Sequence, residues 1–155
     1  MSSGTALDMS VTENSQVDEN FETARLVARI ADDFRGKDIL LLDMRPITPI
    51  VDFFVIVTAS SQRQMKALGE EVARVMKKRG QQRLGEEGAD GDGVWVLQDF
   101  GDVVLHVFSP EGRELYDLEG LWADAPRLEL ELSQNPAAAV AESSEGSDAV
   151  DSDAE

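Results

Sequence analysis

The chain contains no cysteine, which excludes disulfides, thiol catalysis and thiolate metal sites together. It has a single histidine, so any triad, imidazole base or His-ligated metal must use His106. No apolar run approaches the roughly 20 residues that span a bilayer. The N-terminal stretch has no basic region followed by an apolar one, and its first base is Arg25. Secretory and import signals are therefore unsupported. Bases are scarce as well: 14 Lys and Arg stand against 31 Asp and Glu, a net charge of −17. Non-specific nucleic-acid binding draws on Lys and Arg contacts to phosphate, so little independent binding to DNA or RNA is expected. A cytoplasmic protein with neither cofactor nor metal is the simplest fit, and its charge suits a basic protein partner.

What is present is unevenly spread. Hydrophobic residues make up 42% of 155, enough for the core of one domain. Residues 1–20 hold Asp8, Glu13, Asp18 and Glu19 but no base, and residues 133–155 hold six acids and no base. Those ten acids removed, 21 remain against all 14 bases between Phe21 and Leu132. Weakly hydrophobic segments of one charge sign cannot offset chain entropy by burial, so both ends read as disordered acidic tails. The folded domain is expected over residues 21–132.

Within that domain, Ala24, Val27, Ala31 and Phe34 recur at helical spacing, and Gly36 supplies a stop. Ile39–Leu42 reads as a buried strand bounded by Gly36 and Pro46, and Phe53–Thr58 as the central strand. Ser61 and Gln64 form a capping box. The helix that follows carries its apolar stripe on Met65, Leu68, Val72, Val75 and Met76. Lys77, Lys78 and Arg79 suit its dipole and, with Arg83, make a basic cluster. Gly85–Gly93 reads as an acidic loop. Val94–Leu97 and Val103–Phe108 then make a hairpin through Asp99–Asp102. Ser109 with Pro110 starts a short helical segment whose apolar side is Leu115, Leu118 and Leu121. The order predicts an α/β fold, a small mixed sheet of about five strands with flanking helices.

Chemistry is thinly supported. Asp99, Asp102 and His106 define the alternative reading, a nucleotide- or metal-dependent enzyme, while the loop pair Asp90 and Asp92 lacks the later Glu of a calcium-binding EF-hand loop. His106 sits mid-strand between Leu105 and Val107, where a structural histidine bonded to a neighbouring strand is the favoured reading. There is no Walker A loop and no Gly-x-Ser-x-Gly elbow. What stands out is the aromatic density of Trp95, Phe100, Phe108, Tyr116 and Trp122, residue types that divide between cores and interface hot spots.

The run from Trp95 through Asp99, Gly101-Asp102 and His106 to Phe108 resembles the signature of the Iojap family of ribosomal silencing factors. Pro110-Glu111, Arg113, Tyr116, Leu118-Glu119 and Leu121-Trp122 continue it in register. Upstream, Asp38-Ile39, Leu42-Asp43, Asp52–Ile56 and Ser61–Gln64 are similar too, so the likeness spans about Leu26 to Ala125. The resemblance implies a nucleotidyltransferase-like topology without the catalytic residues. It also implies binding to the large ribosomal subunit through ribosomal protein fourteen. There such a protein blocks subunit joining sterically and represses translation under nutrient limitation. Trp95, Asp99, Asp102, Pro110, Glu111, Arg113, Tyr116 and Trp122 are the partner-binding residues expected from it. Self-pairing through an exposed sheet edge would give a homodimer. The chain departs from the family at Phe53, where tyrosine is common, at Gln98, often apolar, and at Gly112 and Gly120, where bulkier residues are usual.

Overall fold

The computed structural model describes residues 2–88 and 93–132. Helix α1 (Ser2–Asp33) leads into strands β1 (Lys37–Asp43) and β2 (Phe53–Thr58), followed by helix α2 (Gln62–Lys78). A three-residue strand β3 (Gly85–Glu87) precedes the hairpin of β4 (Trp95–Asp99) and β5 (Val103–Phe108). Two short helices, α3 (Pro110–Tyr116) and α4 (Leu118–Leu121), lead to β6 (Arg127–Leu128). The strands form one sheet in the order β3-β4-β5-β2-β1-β6. β2 and β5 run parallel at its centre, and every other pairing is antiparallel.

Side chains alternate across the pleat, which separates two cores. Phe53, Val55, Val57, Val103, Leu105 and Val107 face α1 and α2, meeting Ala24, Val27, Ala31, Leu68, Val72 and Met76. Leu42, Ile56, Val104 and Phe108 face the other way, towards Leu118 and Ala125. Both faces are covered at the centre, which is why β2 and β5 read as continuous apolar runs rather than alternating ones. α2 begins as its capping box directs: Ser61 Oγ accepts from Gln64 N at 3.1 Å. The Gln64 side chain does not close the box on Ser61 N but reaches one residue further back. Its Oε1 accepts from Ser60 N, and its Nε2 donates to the carbonyls of Phe34 and Arg35. It thereby satisfies the open end of α1 and fixes the two helices against each other.

Four expectations are revised. The first helix does not begin at Phe21; it runs back to Ser2, across the residues read as an N-terminal tail. Once the core segment has nucleated, each added residue gains a hydrogen bond, so one-signed composition does not stop propagation. Asn20 is buried in the fold, donating to Asp52 Oδ2 at 2.9 Å. The sheet has six strands rather than about five, because β6 joins β1 after Pro126 and part of the acidic loop pairs with β4 as β3. Gly36 is not the left-handed stop: that conformation falls on Arg35 (φ 66°), and a Cβ on Gly36 would collide with the Val57 side chain. Finally, Leu118 alone of the last segment's leucines is buried, while Leu115 and Leu121 are exposed. The acidic tail expected over 133–155 lies outside the described residues.

Candidate partner-binding face

The sheet face opposite α1 and α2 is only partly roofed. α3 and α4 cover the central strands, leaving Leu40, Phe54, Trp95, Leu97 and Trp122 half-buried. Ser109 Oγ caps α3 by accepting from Gly112 N at 3.0 Å, with Pro110 in the first turn as expected. Asp117 then breaks the segment. It adopts a left-handed conformation (φ 46°) and uses its carboxylate to cap α4 through Gly120 N. Gly112 lies against Val94, where a Cβ would overlap the carbonyl oxygen. The smaller residue lets α3 press onto the hairpin backbone, which gives this departure from the family a packing reason.

An aromatic column crosses this face. Tyr116 packs on Trp95 with centroids 4.7 Å apart, and Trp95 stacks on Phe108 at 5.1 Å. His106 continues it between Trp95 and Phe54, and Phe54 meets Trp122 edge-on at 6.4 Å. The column runs from inside to outside: Phe108 and His106 are buried, Trp95 and Trp122 half-buried, and Tyr116 is 43% exposed. Leu115, next to Tyr116 in the chain, and Leu121 in α4 are 73% and 67% exposed.

His106 is part of the scaffold. Its Nδ1 accepts from Trp95 Nε1 at 3.2 Å, so the neutral ring carries its proton on Nε2. Nε2 is buried with no hydrogen-bond partner among the described residues. Burial pushes the imidazole pKa down to about 3. The alternative enzymatic constellation is not assembled. Asp99 Oδ1 accepts from Gly101 N to shape the hairpin turn, and Asp102 is exposed with its carbonyl accepting from Asp52 and Phe53. Neither carboxylate meets the ring, and no cluster of three or more metal-ligating side chains occurs among the described residues.

The eight residues expected at the interface separate into groups. Trp95 and Tyr116 are in contact, with exposed Pro110 and Glu111 close by at the start of α3. Trp122 joins them through Phe54 and His106. Asp99 and Asp102 lie at the hairpin turn, four residues along the strand from Trp95, or about 13 Å by strand rise. Arg113 is turned inward. It grips both carboxylate oxygens of Glu119 at 2.9 and 3.0 Å and donates to Thr58 Oγ1 at 2.9 Å, tying α3, α4 and β2 together. This hydrogen-bonded guanidinium holds the Glu119 carboxyl below its usual range. Leu115 and Leu121, read as core from their spacing, are the exposed apolar residues that the sequence reading missed. No sequence signal distinguishes them from Leu118, whose burial follows from how α4 packs against the core.

The face is anionic as well as apolar. From Asp99 to Asp124 the sequence carries seven acids and one base, Arg113, and that base is engaged internally.

Comparison with known proteins places the chain. A family model described as "Ribosomal silencing factor during starvation" matches residues 17–154. The Bacillus subtilis ribosomal silencing factor RsfS is 40% identical over 111 residues, covering 72% of this chain and 93% of that protein. The chloroplastic Iojap protein of Arabidopsis thaliana is 34% identical over 122 residues, 75% of this chain and 49% of its own length. A crystal structure of a Chromobacterium violaceum protein superposes with a TM-score of 0.62 at 34% identity, covering 77% of this chain and 96% of that one.

Proposed function

The chain belongs to the ribosomal silencing factor family, and from that premise we propose that it docks on the large ribosomal subunit through ribosomal protein fourteen. Docked there, it blocks joining of the small subunit by occupying the space between them, and so represses translation when nutrients are limiting. The control variable is occupancy; no bond is made or broken. The cytoplasm, where subunits join, is the compartment this reading assigns.

One observation carries the proposal: three apolar side chains of α3 and α4, Leu115, Tyr116 and Leu121, are exposed on a stretch from Asp99 to Asp124 that holds seven acids and one base. Glu111, Glu114, Asp117 and Asp124 are all exposed on that stretch. A phosphate backbone is repelled by such a surface, whereas a basic protein with an apolar patch is both attracted and oriented by it. The aromatic residues at its centre are of the type that dominates binding energy.

Sedimentation tests the reading. The protein is expected to co-migrate with purified large subunits, to bind isolated ribosomal protein fourteen, and to lower the yield of joined ribosomes. Tyr116→Ala is expected to weaken binding by about 1–2 kcal/mol. Failure to associate with either the large subunit or its protein fourteen would refute the proposal.

A further inference from the structure

We infer that the outer surface of α2 and its exit is a second contact surface, fitted to the phosphate backbone of ribosomal RNA on the large subunit. The inference rests on the reading above, that the protein sits on that subunit. Its starting point is the way charge is divided. Residues 62–83 hold seven of the 14 bases and only two acids, whereas residues 93–132 hold nine acids and two bases. A chain at −17 thus carries a segment at +5, on the side of the sheet opposite the apolar acidic face.

Pairing makes the asymmetry sharper. Arg25, Arg45, Arg74, Arg83 and Arg113 each meet a carboxylate within 4 Å. Among the described residues nine bases meet no carboxylate within 4 Å; five of them, Arg63, Lys66, Lys77, Lys78 and Arg79, fall in this one segment, and Arg29, Arg35, Lys37 and Arg127 lie elsewhere. The helix dipole accounts for Lys77 and Lys78 in the last turn. It opposes Arg63 and Lys66, which occupy the first turns, where acids are favoured and the first turn has none. Those two cations weaken the isolated helix end, so their use lies outside the fold.

Geometry lines them up. Met65, Leu68, Gly69, Val72 and Met76 seat α2 on the sheet. Arg63, Lys66, Glu70, Arg74 and Lys77 follow one another at steps of three or four residues on the opposite side, a ridge about 21 Å long. Glu70 interrupts the row, and Glu71 beside it is occupied by both nitrogens of the Arg74 fork. Arg63, Lys66 and Lys77 are thus the row's cations without a carboxylate partner, and, Glu70 apart, their line matches a polyanionic strand. The weak overall affinity for nucleic acid expected from −17 then becomes a property of the whole protein, lifted only when the other face is already docked.

The test uses the full chain carrying Arg63→Gln, Lys66→Gln and Lys77→Gln together, with its melting temperature measured first and expected to be unchanged. Affinity for purified large subunits is then followed from 50 to 200 mM salt, beside affinity for isolated ribosomal protein fourteen. If the three bases meet three phosphates, the unmodified protein loses about 20–40-fold more subunit affinity over that range than the variant does. Both proteins bind isolated ribosomal protein fourteen equally. Equal salt slopes, with binding to the isolated protein intact, overturn the ridge alone. Loss of binding by the unmodified protein to subunit and isolated protein alike overturns the reading beneath it. A difference in slope that emerges only after the six acids of residues 133–155 are neutralised assigns the ridge to the chain's own tail, and that too overturns the proposal.

Discussion

Acidification should destabilise this fold through His106 before it touches any carboxylate. The ring is 3% exposed, and its one polar contact, Trp95 Nε1–H donating to Nδ1, requires the neutral form. Its folded pKa is pushed down to about 3 by burial, against an ordinary value of 6.5. A lowered pKa means that the unfolded chain takes up the proton first. The contribution of His106 is therefore complete above pH 6.5 and is lost progressively as pH falls towards 3. Between pH 7 and pH 5 the loss comes to about 2 kcal/mol, or roughly 8 °C in melting temperature at about 4 °C per kcal/mol for a chain of this size. Asp43 and Glu119 are held low by their arginine partners, so their stabilisation is lost only further down, as pH falls through the carboxylate range. The comparison is His106→Asn, which keeps an acceptor near the Nδ1 position but does not titrate. Thermal melts followed by circular dichroism at pH 7, 6 and 5 should show the unmodified protein losing several degrees more than the variant. Parallel losses in the two proteins would show that the histidine is not held neutral by the fold, and the scaffold role assigned to it would fall.

Arg113→Ala is expected to cost about 1–3 kcal/mol of stability, because it leaves a half-buried carboxylate and the Thr58 hydroxyl without their donor. Denaturant titration measures it, and Arg113→Lys should recover only part, since an ammonium cannot grip both oxygens. Gly112→Ala should destabilise by about 1–3 kcal/mol, since the added methyl overlaps the rigid Val94 carbonyl. Gly120→Ala should cost less, because the group it meets is a movable Asp117 side chain. Leu121→Asp should leave unfolding free energy within about 0.5 kcal/mol of the parent while weakening partner binding by more than 1 kcal/mol. A large drop in stability instead would place Leu121 in the core after all.

The central sheet was legible because its signals were local and redundant. Phe53–Thr58 and Val103–Phe108 are long β-branched and aromatic runs, and both are core strands buried on two faces. The Ser61 and Ser109 caps are single-residue signals that fixed two helix starts. Elements whose existence depends on a neighbour were not legible. β6 is two residues long and exists because β1 offers an edge; β3 is Gly-Glu-Glu, a poor strand sequence that pairs only because β4 lies beside it. Leu115, Leu118 and Leu121 carry one helical spacing but two environments. Left-handed Asp117 separates Leu115 in α3 from the other two, but Leu118 and Leu121 share α4, and only Leu118 lies on the side that meets the core.

The same point governs the candidate interface. Trp95, Tyr116 and Trp122 could be named from residue type, but their division between core and surface follows from a column of rings that no linear pattern encodes. That column gives the division a use. A side chain free to rotate loses rotamer entropy when it docks, which subtracts from affinity. Tyr116 is held against Trp95, Trp95 is held by Phe108 and by its bond to His106, and His106 is wedged against Phe54. The buried half of the column therefore fixes the orientation of the exposed half before any partner arrives. Arg113 belongs to the same device, since its links to Glu119 and Thr58 fix α3 and α4 and with them the leucines on either side. On this reasoning His106 and Arg113 are positioning residues, which hold the half-buried and exposed side chains of the face in place.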